Sequence, residues 1–373
     1  MYALTNSPLA LGLIGLVQAV PAIALALFAG HFVDHSEPLA IYKNVLRLSA
    51  ASAAILWAVS GAAFGLPVGA RLAGMYAATF VTGVASGFSM PARDALVPRL
   101  VAREELHETS AWTVSAYHVA NVIGPAVGGA LFAFAGARFP HAVDGGLLLL
   151  GLALLTAVAA PPAPEAPAER EGPVAAATSG LRYVFSHPVL LPAIALDMFA
   201  VLFGGVTALL PVFAKDILRV GPFGLGLLRA APAAGALLAS GWLIRRPVRR
   251  HAGAILLWVV AGFGATILGF AVSRSFWLSA GLLALGGAFD SVSMVIRVVI
   301  VQLSSPDHMR GRISAVNSVF ISVSNELGAF ESGLAAQLLG AVPSVLLGGA
   351  VTMLTVAAVA LRSKELRRMH LSS

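Results

Sequence analysis

The 373-residue sequence contains no cysteine and few charges: 11% of its residues are Asp, Glu, Lys or Arg. Without cysteine there is no disulfide framework, no thiolate metal site and no cysteine nucleophile. So little charge excludes a water-soluble surface, because soluble domains carry about 25% charged residues. Site motifs are missing as well. No GxxxxGKS or GxxxxGKT phosphate loop occurs, which excludes an internal ATPase of that kind. The nine histidines are scattered without HExxH or comparable spacing, so no metal site is expected. No GxSxG or triad context marks a hydrolase. The chain does not read as an enzyme, and no cofactor is expected.

What the chain has instead is apolar length. Hydrophobic residues make up 58% of it, in runs repeated from end to end. Apolar segments fall at 9–32, 45–64, 72–90, 112–135 and 143–160, then at 190–213, 222–244, 252–272, 276–303, 313–339 and 343–361. A membrane helix needs roughly 20 such residues, whereas barrel strands are shorter and alternate apolar with polar. The fold class is therefore all-α, a polytopic membrane protein of 11 predicted helices, five before a break and six after it. Pro161–Gly180, PPAPEAPAEREGPVAAATSG, is that break, and its composition and lack of apolar period predict a linker. The expected organisation is an N-terminal bundle over 1–160, a linker over 161–188, a C-terminal bundle over 189–361 and a basic tail over 362–373. Met1–Pro8 shows no basic stretch or cleavage pattern, which predicts no signal peptide there.

The formal charge of +7 does not point to nucleic acid, because the basic residues occupy short loops between apolar runs. Of the 24 Lys and Arg residues, 17 lie in one alternate set of loops and the tail, 5 lie in the other set, and Arg229 and Arg297 lie inside segments. That asymmetry predicts a linker and C-terminus in the cytoplasm and Met1 outside it.

The two halves repeat one plan. Gly15-Leu16, Ala19, Pro21 and Gly30 match Gly226-Leu227, Ala230, Pro232 and Gly241 at one offset (226 − 15 = 211). Ser110-Ala111, Asn121, Gly124 and Gly129 match Ser314-Ala315, Asn325, Gly328 and Gly333 at another (314 − 110 = 204), and Arg93 matches Arg297. Matched segments start on the same side, so the repeat is parallel about an axis along the membrane normal. Segment 1 pairs with segment 7, which leaves segment 6 without a counterpart. An intact N-terminal half is expected to have one more helix before Met1.

Charges inside the apolar segments are the candidate site. Asp197, in LLPAIALDMFAVLFGG, is costly unless it faces water or a partner. Asp290 and Arg297 are seven apart, nearly two turns, and so share a face. Glu326 and Glu331 lie beside Asn325, and Arg229 takes the place that Gln18 has in segment 1. Such groups either pair internally and fix helix rotation, or line a cavity in which a carboxylate takes up and releases a proton. For the second role Asp197, Glu326 and Glu331 are favoured. Gly124 and Gly128 fall on one helix face, where a neighbouring backbone can approach closely, and Pro125 removes a helical hydrogen bond. Arg93, in MPARD, either anchors the basic loops or pairs with Asp34 to lock one conformation.

Gly30-His31-Phe32-Val33-Asp34, Gly124-Pro125 with Gly128-Gly129, Leu209–Asp216 with Gly226–Pro232, Met309–Asn317 and Ser324–Gly328 together resemble the major facilitator superfamily. More narrowly they resemble its branch of enterobactin-exporter-like and macrolide-efflux-type proteins. The resemblance covers nearly the whole chain and is specific for the superfamily, weak for a substrate. It implies a twelve-helix, two-bundle fold, here lacking the first helix, that works by alternating access. The implied partners are a small molecule, hydrophobic or siderophore-like, a proton and membrane lipid. Gly30 and Asp34 match the superfamily's gating motif, although His35-Ser36-Glu37-Pro38 stands where basic residues usually follow. Gly124, Pro125, Gly128 and Gly129 match the motif associated with antiporters, which favours export. An importer or facilitator of the same fold is a second reading, and a non-transporting membrane protein or inactive fragment a third.

Overall fold

Each of the eleven apolar segments overlaps a helix in a computed structural model of the chain, the sixth a broken one. The model describes all residues except 35, 62–64, 103–104, 159–172, 247, 249–250, 307–308 and 370–373, and leaves out the surroundings of a further set that includes Gly30 and Asp34. Among the described residues every regular element is helical: α1 (Tyr2–Thr5), α2 (Pro8–Asp34), α3 (Pro38–Val59), α4 (Val68–Leu100), α5 (Leu106–Ala135), α6 (Phe139–Thr156), α7 (Pro173–Ser186), α8 (Leu190–Gly204), α9 (Leu210–Val212), α10 (Gly221–Arg245), α11 (Ala252–Val272), α12 (Phe276–Ser304), α13 (Arg310–Leu339), α14 (Ala341–Arg362) and α15 (Lys364–Arg368). Their ends form a basic end, where the arginine-rich loops lie, and a sparse end opposite.

Nine described helices are long and apolar enough to cross a membrane. The nine do not include α5 or α13, so apolar length over the described residues does not establish the expected eleven crossings. In α5 the described apolar stretch is Val119–Ala135, and α13 carries Asn317, Asn325, Glu326 and Glu331. These two helices are partners in the internal repeat, and both lie in the seam between the halves, α5 against α10 and α13 against α2. The chain is a multi-pass membrane protein.

Lipid is as apolar as leucine, so helix association here rests on close packing rather than on escape from water. In the N-terminal half α4 presents Gly83 and Gly87 to α2. A Cβ at Gly83 would lie 2.7 Å from Pro21 Cγ, and one at Gly87 3.1 Å from Leu25 Cβ. Ser52 of α3 donates to the carbonyl of Ala78 on α4 at 2.9 Å. α6 buries none of its residues and presents Leu147, Leu150 and Leu154 outward, as a lipid-facing helix would. In the C-terminal half one cluster packs Leu190, Ile194, Leu256, Ile296 and Ile300. A second packs Leu209, Phe213, Leu228 and Phe270, and Phe263 touches both clusters.

One expectation needs correction. The break read as linker to Gly180 is helical from Pro173, in α7. Gly180 lets α7 approach the Arg312 carbonyl of α13, and Tyr183 donates to the Ser304 carbonyl at 3.2 Å. Within the basic tail, Leu366 of α15 is fully buried in the first cluster against α11.

Candidate functional site

The membrane charges sort into three arrangements. The first is a buried ion pair. Asp197 on α8 and Arg297 on α12 are 5% and 4% exposed and bond directly to each other. Burial at this level makes pairing obligatory, since an unpaired charge in such a place is prohibitive. Asp197, favoured above as a free acid, therefore has its charge already matched. Asp290, two turns along α12 from Arg297, is within electrostatic reach of both members of the pair. Unlike them it is solvent-accessible. Asp197 and Asp290 also line one small cleft with Phe263, Phe289 and Ser293. Arg297 Nε is buried and has no hydrogen-bond partner among the described residues.

The second arrangement is a cavity of about 330 Å³ inside the C-terminal half. Its size falls at the lower end of the range typical of small-ligand sites, roughly 300–1,000 Å³. Phe263, Ile267 and Phe270 supply apolar wall, and Asp290, Asn325, Thr207 and Thr266 supply polar points. One wall is a broken helix. α8 stops at Gly204, Gly205 leaves helical geometry (φ −70°, ψ 66°), and the chain resumes as a 3-10 turn at Val206–Leu209. α9 follows, and a π-helical turn closes the run at Phe213–Ile217. Irregular backbone at membrane depth is tolerated where it lines a protein cavity, and Gly204 through Ala208 do so.

The third arrangement is the seam. A Cβ at Gly226 of α10 would lie 2.6 Å from the Pro125 carbonyl and 2.8 Å from Gly129 Cα on α5. A Cβ at Gly15 of α2 would lie 2.8 Å from Ala329 Cβ and 2.9 Å from the Glu326 carbonyl on α13, and one at Gly12 3.0 Å from Gly333 Cα. Under the repeat Gly15 is the counterpart of Gly226, Ala329 of Pro125 and Gly333 of Gly129, so one contact is built twice. Both contacts lie towards the sparse end. The antiporter-type motif is thus partly rearranged. Gly129 and the Pro125 carbonyl make the close approach, whereas Cβ atoms at Gly124 and Gly128 would meet nothing within 4 Å. Glu326 sits at the seam against Gly15, and Glu331 accepts a long hydrogen bond of 3.5 Å from Ser332 Oγ. Arg93 pairs with its neighbour Asp94 at 3.1 Å, while the surroundings of Gly30 and Asp34, the other gating residues, lie outside the described set.

At the sparse end polar side chains tie the two halves together. Tyr2 donates to Asp216, and Lys215 Nζ donates to Asn6 Oδ1 at 2.6 Å. Ser7 Oγ donates to Gln337 Oε1 at 3.0 Å. Tyr2 also inserts its ring into the second apolar cluster. Burial, then the Asp216 hydrogen bond and charge, push the Tyr2 phenol up to about 12. A raised acid keeps its contribution below the ordinary tyrosine value and loses it as pH climbs through 12, so Tyr2 remains a donor at neutral pH. Tyr2→Phe is expected to weaken closure of this end by about 1 kcal/mol, near the lower limit for a hydrogen bond to a charged group because Asp216 is exposed. Because the chain has no cysteine, spin labels on Val68→Cys and Val272→Cys, both exposed at this end, can measure it. The longer-distance population should rise about fivefold.

Sequence reasoning found Asp197, Asp290, Arg297 and the repeat, but not the polar ties or the break at Gly205. The Gly204-Gly205 pair was the available signal for the break. Tyr2, Asn6 and Asp216 carried none, since nothing in their local pattern says that residues 214 apart will meet.

A family model described as transmembrane secretion effector (MFS_3) matches residues 1–372. The enterobactin exporter EntS of Escherichia coli O1:K1 / APEC is 28% identical over 303 residues, covering 79% of this chain and 71% of that protein. EntS of Shigella boydii serotype 18 is 27% identical over 300 residues, with the same coverage. Among solved structures, the nucleoside transporter NupG superposes with a TM-score of 0.72 at 12% identity, covering 98% of this chain and 93% of its own. A bacterial homologue of the iron transporter ferroportin gives 0.69 at 18%, covering 96% and 92%. The xylose transporter XylE from E. coli gives 0.70 at 12%, covering 97% and 88%. With the helical architecture, the duplicated seam and a family match along essentially its full length, the chain belongs to the major facilitator superfamily, within the transmembrane secretion effector family, and is a membrane transporter rather than an enzyme.

Proposed function

We propose that the chain exports a hydrophobic or siderophore-like small molecule across the bacterial inner membrane by alternating access, driven by proton entry. The observation that carries this reading is the cluster of Asp197, Arg297 and Asp290 at the wall of a cavity. One guanidinium balances one carboxylate. With both acids ionised the cluster carries a net negative charge, and with one protonated it is neutral, so a single proton resets the field in the cavity. Asp290, the solvent-accessible acid, is the exchanging group, and the Asp197–Arg297 pair is the fixed charge against which it works.

The seam fits export. The basic end belongs in the cytoplasm by the positive-inside rule, which leaves the glycine contacts and the Tyr2, Asn6 and Ser7 ties closing the outer end. The cavity then takes up cargo from the cytoplasm. Opening the outer end releases the cargo and lets Asp290 gain a proton, and the return delivers that proton inside. The similarity to enterobactin exporters suggests a first substrate to try. Expressed in an enterobactin-producing host without its own exporter, the chain should restore enterobactin to the medium. In proteoliposomes, enterobactin added opposite a pH gradient should move protons, read by an internal pH-sensitive dye. Asp290→Asn is expected to lower gradient-driven transport at least about tenfold, about 1.4 kcal/mol, while substrate counterflow persists. Undiminished gradient-driven transport in Asp290→Asn would remove the coupling assignment.

A further inference from the structure

Arg229 is a charged residue of the membrane helices that the coupling cluster does not use. Among the described residues it has no hydrogen-bond or ion-pair partner, yet its side chain is solvent-accessible. By helical rise it lies about 12 Å from the start of α10 and about 24 Å from its end, too far inside for its charge to rest at either interface. A guanidinium at that depth cannot face lipid, so the water it meets is inside the protein.

The helix itself says where. Gly226 points at α5, touching Gly129 and the Pro125 carbonyl. Pro232 points at α12 and lines the cavity. At 100° per residue Arg229 stands roughly 60° round from Gly226, and Pro232 roughly 60° further in the same sense. Arg229 therefore projects between the seam with the N-terminal half and the cavity of the C-terminal half. Its counterpart in the repeat, Gln18, is neutral, so the cation has no twin across the pseudo-axis.

We infer that Arg229 is the recognition site for an anionic group on the substrate, and that the chain takes up organic anions with an apolar, aromatic body. This rests on the transport reading above and names the class of cargo for the same cleft. The guanidinium offers five donors in a planar fork that matches a carboxylate or a similar oxyanion. Low-dielectric walls focus its field, and Phe263, Ile267 and Phe270 give the neighbouring cavity an apolar wall for the body. The Asp197 charge is taken by Arg297, which leaves Asp290 as the one acid of that cluster whose charge depends on its proton. Recognition and coupling are thus divided, a fixed cation on α10 holding the cargo and a titrating acid on α12 exchanging the proton.

Three probes of one shape test this on purified full-length protein: 2-naphthoate, 2-naphthamide and 2-naphthylmethylammonium, read by thermal stabilisation and by equilibrium binding. Wild type should bind 2-naphthoate at least tenfold more tightly than the other two. Arg229→Gln should weaken 2-naphthoate binding at least tenfold, while Arg229→Lys keeps the preference for the anion. Unfolding temperatures without ligand check that each variant is folded. No binding of 2-naphthoate, equal or better binding of the amide or the ammonium, or unchanged binding in Arg229→Gln would overturn the inference. Asp290→Asn separates the two ideas. Full gradient-driven export in that variant, alongside Arg229-dependent naphthoate binding, removes the coupling assignment and leaves anion recognition standing. The reverse pattern does the opposite.

Discussion

Arg297→Met is expected to destabilise the protein by about 3–5 kcal/mol, the usual consequence of breaking a buried pair from one side. The loss comes less from the missing attraction than from what stays behind. Asp197 is 5% exposed and bonds to Arg297, so removing the guanidinium leaves a carboxylate with neither water nor a cation. Two companions make the cause visible. Arg297→Lys should recover only part of the loss, because a compact ammonium on a thinner stem does not reproduce the planar fork. The double replacement Asp197→Leu with Arg297→Met should recover most of it, since well-packed apolar groups often replace a buried pair at little cost. Unfolding in detergent, followed by tryptophan fluorescence, gives the ranking. If the double variant is no more stable than Arg297→Met alone, the burial argument fails. Transport should be lost in the double variant even where stability returns, because Asp290 then has no fixed charge to work against.

Gly226→Val is expected to shift the protein away from the state with a closed sparse end by roughly a hundredfold in population. The obstacle is backbone: a Cβ there would lie 2.6 Å from the Pro125 carbonyl and 2.8 Å from Gly129 Cα. Neither atom can turn aside as the tip of a side chain can. Overpacking of this kind costs about 1–3 kcal/mol, and the upper figure corresponds to the hundredfold shift. Relief is available by parting the two halves, which is the motion alternating access requires. The Val68→Cys and Val272→Cys spin-label pair should therefore report the longer distance as the main population. Gly124→Val is the control, because a Cβ at Gly124 meets nothing within 4 Å, and its distances should stay near those of the parent. Equal shifts in the two variants would mean that bulk anywhere on these helices matters, rather than the contact of Gly226 with Gly129.

These contrasts mark where reading residues in order reaches its limit. Gly124, Gly128 and Gly129 all have the size that close packing requires, and composition cannot rank them. The rank depends on which way α5 is rotated when it meets α10. Asp197 and Arg297 present the same situation. Each alone is an expensive group in an apolar segment, and each is open to a partner or to water. That they choose each other, leaving Asp290 accessible, is decided by α8 lying beside α12.

Much, however, was determined by the chain taken alone. A composition that is 58% hydrophobic and 11% charged permits only a membrane protein, because backbone groups in lipid must be satisfied within helices and the apolar runs have the length to cross. The offsets of 211 and 204 residues were legible for an equally simple reason: glycines and prolines mark backbone geometry, so a duplicated fold keeps them in step. Position along the chain also assigned the basic and sparse ends. Tertiary structure alone decided the pairing of Asp197 with Arg297, the break at Gly205, the docking of α7 and α15, and the ties of Tyr2 to Asp216 and Ser7 to Gln337. The physical reason is the same in each case. Local periodicity reports how a segment faces its solvent, whereas an ion pair, a cavity or a seam depends on which two faces meet, and that is set by the packing of helices hundreds of residues apart.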